Sequence, residues 1–195
     1  MAIFDSLNLN KGEAMYGLVN KAIKDLVVNN FGADKWIEIC QLSNFSDEDF
    51  IAMSPYPDQL TYSLVGSASR VLGVDANIIL EKFGEHWILY TASEGYGDLM
   101  NLSGSTYEEF LTNMDMLHNR LSGVMPSLTP PKFTTRNITT NSLELEYWSN
   151  REGLVPMVLG MLRGLGKRFN KDCTVEHIQE KQSPDQCHVF RVIWK

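Results

Sequence analysis

LEYWSNREGLVPMVLG, residues 145–160, changes its period halfway along. As far as Arg151 it reads as a strand, which places Tyr147, Ser149 and Arg151 on one side. From Gly153 to about Phe169 the apolar residues fall at helical spacing, with the small residues Gly160 and Gly164 inside. A strand that turns directly into an amphipathic helix lays helix on sheet. The flanking sequence supplies more sheet. Lys132–Thr139 and Asn141–Ser149 alternate as an antiparallel pair. Cys173–Gln179 and Cys187–Ile193 alternate again and close as a hairpin around KQSPDQ.

Upstream the period is helical. Leu18, Val19, Ala22, Ile23, Leu26 and Val27 share one face of a helix from Met15 to about Asn30. A second helix runs from about Ala33 to Leu42, and a third from Asp58 to Leu72, closed by Gly73. Asp75 caps the next, which carries Phe83, Trp87 and Ile88. Ser46-Asp47-Glu48-Asp49 reads as a cap, and Ser105 with Glu108 as a capping box opening a helix to about Leu121. The expected fold is therefore α+β. A helical lobe (about 15–95) precedes a lobe of helices on a small, roughly four-stranded antiparallel sheet (about 96–195). Residues 1–14 read as an extension outside this single domain.

The chain has 195 residues and 44% hydrophobic side chains, enough for a substantial core without disulfide or metal. Its net charge of −7 argues against a nucleic-acid partner. No apolar run approaches the ~20 residues of a membrane span. No secretory signal opens the chain. Three widely spaced cysteines fit a reducing, cytoplasmic setting.

Two groups carry chemistry. Leu111, Met114, His118, Leu121 and Met125 repeat at three- and four-residue steps, so His118 points with an apolar stripe. Such a histidine is either a core residue bonded to a carbonyl or hydroxyl, or a ligand to haem iron with VMPSLTPPKF as a facing wall. Tyr147, Ser149 and Arg151 form either a solvated face salt-bridged to Glu144 or Glu146, or a clamp for the carboxylates of an anionic ligand. One axial ligand, an apolar sandwich and a carboxylate clamp together are what protohaem needs.

On these residues the chain resembles the H-NOX family (haem-nitric oxide/oxygen binding domains), which includes the sensor domain of soluble guanylate cyclase. MYGLVNKAI (15–23), GEHWILYTASEGYGDLM (84–100), LHNRL around His118 with MPSLTPPKF (125–133), and the Y-x-S-x-R motif at Tyr147, Ser149 and Arg151 carry the resemblance. It implies haem b (protohaem IX) between the lobes and His118 as the axial iron ligand. Tyr147, Ser149 and Arg151 would hold the propionates. Pro131, thirteen residues after His118, would pack on the haem and distort it. Met114 and Leu117 would line its proximal side.

Oxygen-binding members carry a tyrosine three residues before the glycine of the last helix; here that position is Met157. The other matched distal positions are Val19, Ile23 and Trp87. An apolar distal pocket offers bound O2 no donor, whereas NO and CO need none. The resemblance thus implies a non-enzymatic NO and CO sensor that excludes O2. Its signal would be cleavage of the iron–His118 bond, read by a histidine kinase, cyclic-di-GMP enzyme or chemotaxis protein. No distal His–Arg pair suggests a peroxidase. The different-class alternative is a thiol/zinc redox sensor built from Cys173, His177, Cys187 and His188. Gly160-x-x-x-Gly164 reads as close helix packing rather than a phosphate loop, and Arg163, Lys167 and Arg168 as a solvated, dipole-favouring face.

Overall fold

The computed structural model of the chain describes residues 14–46, 50–125 and 129–195. The extension, apart from Ala14, and the acidic part of the Ser46–Asp49 signal lie outside the described residues. The chain enters as a short strand β1 (Ala14–Tyr16), not as the helix expected from Met15. β1 pairs antiparallel with β2 (Pro55–Pro57), whose two prolines suit an edge strand. Gly17 lets this junction close: a Cβ there would strike the Ile51 carbonyl.

The helical lobe follows with α1 (Gly17–Phe31), α2 (Ala33–Leu42), α3 (Asp58–Leu72) and α4 (Ala76–Thr91). Gly73 at φ 64° ends α3, and Asp75 accepts from the Asn77 N–H to cap α4. A π-helical turn, Ala92–Tyr96, bends at Glu94 and Gly95 into the short α5 (Gly97–Asn101).

The helix expected from Ser105 to Leu121 is two helices, α6 (Tyr107–Thr112) and α7 (Met114–Val124). Asn113 leaves helical geometry between them, and its side chain donates to the Ser103 carbonyl at 2.9 Å. The capping box sits one residue later than read. Thr106 accepts from the Glu109 N–H at 3.1 Å, and Glu109 accepts from the Ser105 N–H at 2.8 Å.

Strands β3 (Lys132–Arg136), β4 (Ser142–Trp148), β5 (Cys173–Gln179) and β6 (His188–Trp194) form one antiparallel sheet in the order β3-β4-β6-β5. Between β4 and β5 lies α8 (Val155–Arg168). Leu143, Leu145 and Tyr147 of β4 and Phe190, Val192 and Trp194 of β6 enter one core with Leu162 and Leu165 of α8. Glu144 and Glu146 instead meet Arg136 and Arg191. A second core joins Leu18, Ile23, Trp36, Leu64 and Phe83 of the helical lobe. Each such side chain fully buried contributes roughly 1.5–3 kcal/mol.

The lobes are joined along α4 and α8. Glycines make this seam close: a Cβ on Gly160 would strike the Glu81 carbonyl, and one on Gly84 the Met157 carbonyl. Gly160-x-x-x-Gly164 is thus a packing surface, as read. Arg163 and Lys167 are not simply solvated; they pair with Glu81 and Glu85 of α4.

Candidate functional site

A cavity of about 240 Å³, counted as space open to the centre of a water molecule, is lined from both cores. Most of the lining is apolar. Val19 of α1, Trp87 of α4 and Met157 of α8 contribute to it, as do Met114, Leu117 and His118 of α7, with Pro131. Tyr147, Ser149 and Arg151 also reach it. Ten of the eleven residues singled out from sequence therefore converge on one cavity. Ile23 does not line it; it is buried behind, in the helical-lobe core.

His118 keeps some surface toward the cavity, while protein surrounds the rest of the ring. Phe133 stacks on it, ring centres 5.4 Å apart and planes at 26°. Its Nδ1 is buried with no hydrogen-bond partner among the described residues. Burial pushes its pKa down to about 4, although the Asp115 carboxylate and the Pro131 carbonyl favour the charged ring. His118 is therefore a neutral imidazole, the form that ligates metals. The Pro131 carbonyl engages one ring nitrogen, as in a core histidine, and leaves Nδ1 without a protein partner among the described residues.

At the end of β4, burial raises the Tyr147 pKa, opposed by a hydrogen bond with the Ser149 hydroxyl and by the Arg151 charge. Ser149 Oγ also accepts from the Arg151 N–H at 3.0 Å. The Arg151 guanidinium donates to Asp58 Oδ2 at 2.8 Å, the Thr129 carbonyl at 2.7 Å and the Ala14 carbonyl at 3.3 Å. Two hydroxyls and a guanidinium thus stand together, the set that recognises carboxylate.

Sequence reading missed two positioning carboxylates. Asp58, 4% exposed at the start of α3, ties Arg151 to the helical lobe. Asp115 Oδ1 accepts from the Phe133 N–H at 3.2 Å and fastens α7 to β3. Asp58 looked like an ordinary helix-start acid, and Asp115 like a mid-helix polar residue off the apolar stripe. Two other hydroxyls in the cavity wall are already engaged. Thr91 donates to the Trp87 carbonyl at 2.8 Å, and Tyr96 to Met53 Sδ at 3.3 Å.

The thiol/zinc alternative is not assembled. Cys173 pairs with Trp194 at one end of β5–β6, while Cys187 precedes the other end of β6. At ~3.3 Å per residue this puts roughly 20 Å between the thiols. Among the described residues no three His, Cys, Asp or Glu side chains gather as a metal site. His86 points to Asp25 (Nε2–Oδ2 3.0 Å) and does not line the cavity.

The helical lobe on an antiparallel sheet, with this cavity between, has the H-NOX fold. A crystal structure of an H-NOX protein from S. oneidensis in the Fe(II)NO ligation state superposes with TM-score 0.83 at 17% identity, covering 93% of this chain and 99% of that one. A mutant H-NOX protein from K. algicida in the unliganded Fe(II) form gives 0.80 at 21%, covering 93% and 97%. The family model described as haem-NO-binding matches residues 16–177, and the chain belongs to that family. Among curated proteins, soluble guanylate cyclase gcy-32 of Caenorhabditis elegans is 32% identical over 83% of this chain and 24% of its own length. Soluble guanylate cyclase gcy-35 of the same organism is 31% identical over 86% and 25%. The chain thus spans about a quarter of the length of these relatives. Among the described residues no single helix is long and apolar enough to cross a membrane.

Proposed function

We propose that the chain binds protohaem in this cavity and acts as a cytoplasmic, non-catalytic sensor of NO and CO that does not retain O2. The observation that carries the reading is His118: a neutral, buried imidazole with an orphaned nitrogen, beside a carboxylate clamp. Haem, when bound, supplies a ferrous iron that takes up diatomic gases. His118 provides the axial nitrogen, and Phe133 holds its ring plane. Tyr147, Ser149 and Arg151 take the two propionates. Met114, Leu117 and Pro131 pack one side; Val19, Trp87 and Met157 pack the gas side, backed by Ile23.

Selectivity follows from what the wall withholds. Met157 has no hydroxyl, and Thr91 and Tyr96 spend theirs on protein acceptors. O2 needs a donor for its partial negative charge; NO and CO do not. The signal would be release of His118, which would free α7 to shift against β3. A signalling partner such as a histidine kinase, a cyclic-di-GMP enzyme or a chemotaxis protein reads that shift. NO biases this equilibrium only as far as it prefers one state.

The test is an absorption series on dithionite-reduced protein, under argon, air and NO, with His118→Ala beside it. A five-coordinate ferrous spectrum, unchanged by air and converted by NO to a five-coordinate nitrosyl, is the expected result. A stable oxy spectrum would overturn the selectivity. Absence of haem, or haem bound identically by His118→Ala, would overturn the site.

A further inference from the structure

Beyond the clamp lies a pair of histidines that the proposed function does not use. Tyr147 of β4 stands directly opposite His188 of β6 in the sheet register. Their rings are 6.1 Å apart at 27°. On its other side Tyr147 meets Phe133 at 5.3 Å, and Phe133 meets His118. His188 thus continues a row of rings that begins at the cavity. His188 Nδ1 faces His177 Nε2 of β5 at 3.1 Å and accepts from the Lys181 backbone N–H at 3.3 Å. The Lys181 side chain, 12% exposed, turns back and donates Nζ to the Ser149 carbonyl at 2.8 Å.

A backbone N–H can only donate, so Nδ1 of His188 is an acceptor and His177 carries the proton on Nε2. The arrangement therefore holds only while His188 is neutral. A proton on Nδ1 would set it donor to donor against the Lys181 N–H, whichever tautomer His177 adopts, and place a cation beside Lys181.

We propose that His188, with His177, is a positioning element for the haem clamp: its neutral Nδ1 anchors Lys181, and Lys181 and the His188 ring hold Ser149 and Tyr147 in place. This rests on the haem reading of the clamp. The charged and titratable groups around His188 are His177 from β5, Glu180 and Lys181 from the β5–β6 connection, Tyr147 from β4, and Glu152 before α8. Burial, then His177 and Lys181, hold the His188 pKa below the ordinary histidine value against the pull of Glu180 and Glu152. The anchor is thus complete above that ordinary value, ~6.5, and is lost as the pH falls below it.

The test compares the full chain with His188→Asn, whose amide oxygen replaces the Nδ1 acceptor without titrating, and His188→Phe, which keeps the ring and removes the acceptor. The readout is the rate of haem loss to excess apomyoglobin as the pH is lowered through the histidine range. All three proteins carry His118, so the ratio between them isolates position 188. The wild-type rate should rise roughly 5- to 10-fold relative to His188→Asn on acidification, the equivalent of one or two hydrogen bonds. At neutral pH His188→Phe should lose haem faster than wild type or His188→Asn by that same factor. A ratio that stays flat with pH overturns the proposal. The same switch is read without haem by hydrogen exchange. Lys181 amide protection should collapse in step with the His188 ring titration followed by nitrogen NMR, and protection independent of that titration also overturns it. If no protein holds haem while that coupling is present, the positioning device stands and the haem reading falls.

Discussion

Asp58→Ala should unfold the haem-free protein more easily than any exposed acid-to-alanine change. Arg151 Nε donates to Asp58 Oδ2 at 2.8 Å, and the two side chains are 9% and 5% exposed. Solvent screens so little of this pair that the small values typical of surface ion pairs do not apply. Removing one member of a buried pair leaves the other charge desolvated and costs about 3–5 kcal/mol. Arg151 keeps its bonds to the Thr129 and Ala14 carbonyls and Asp58 Oδ1 has no partner among the described residues to lose, which sets the cost at the lower end of that range. Asp58→Asn keeps an acceptor for Nε and forfeits only the charge, at about 2 kcal/mol. At ~2–4 °C per kcal/mol for a chain of this size, Tm should fall by about 4–8 °C for the asparagine and by about 6 °C or more for the alanine. Urea unfolding of the haem-free protein followed by tryptophan fluorescence gives the free energies. Adding Arg151→Met to Asp58→Ala should return part of the loss, because the stranded charge is then gone. If Asp58→Ala costs less than about 0.5 kcal/mol, the cross-lobe tie is not a buried ion pair and the reasoning fails.

Three further outcomes follow from single contacts. Gly160→Ala should force α8 away from the Glu81 carbonyl, costing about 1–3 kcal/mol in urea unfolding, whereas Gly123→Ala, with open space around it, should not. Tyr107→Phe removes the buried bond from its hydroxyl to the Leu162 carbonyl at 2.9 Å, costing about 1–3 kcal/mol in the same assay. Burial holds the Tyr107 phenol far above its ordinary pKa, so in alkaline titration by phenolate absorbance it should ionise only as the protein unfolds. Asp115→Ala should lower stability by about 1 kcal/mol and alter the iron–histidine stretch in resonance Raman spectra of the haem-loaded protein, since α7 loses its bond to the Phe133 N–H.

The two hairpins were legible because turn residues separate strands that are neighbours in sequence. Their union in one four-stranded sheet was expected, but not the order of its strands. β4 pairs with β6 across the whole of α8 and β5, and no local signal states that Ser142 will face Ile193. His118 was legible as a residue out of character on its stripe; Y-x-S-x-R was read as strand alternation, but β4 ends at Trp148 and Ser149 and Arg151 reach the cavity from the turn after it. Asp58 was not legible, because an acid in the first turn of a helix is favourable by itself and so advertises nothing further, and Asp115, read inside one long helix, looked like a polar residue off its apolar stripe. Their second partners, Arg151 and the Phe133 N–H, come from other segments. Ile23 shows the converse limit: helix period placed it on the buried face, and only packing decides that it backs the cavity wall instead of forming it. The thiol/zinc idea failed for a reason of register, since two cysteines on one hairpin end far apart when each sits near a different end.

The distribution of ties also says which part of the molecule can move. α4 and α8 meet through glycines at backbone contact, flanked by the Glu81–Arg163 and Glu85–Lys167 pairs. Such a seam resists sliding, because any shift drives backbone into backbone. α7 is held differently. Asn113 breaks it from α6, Asp115 gives it one bond to β3, and its inner face is Met114, Leu117, His118 and Leu121 against a cavity. A helix packed on a cavity lacks dispersion contacts on that side until something fills it. Whatever occupies the cavity therefore sets the position of α7 more than that of α8. Because His118 rides on α7 while Tyr147, Ser149 and Arg151 stand on the sheet and the turn that follows it, one ligand gripping both ends would tie α7 to the sheet. A change at the His118 end is therefore expected at the α7 surface rather than along the α4–α8 seam.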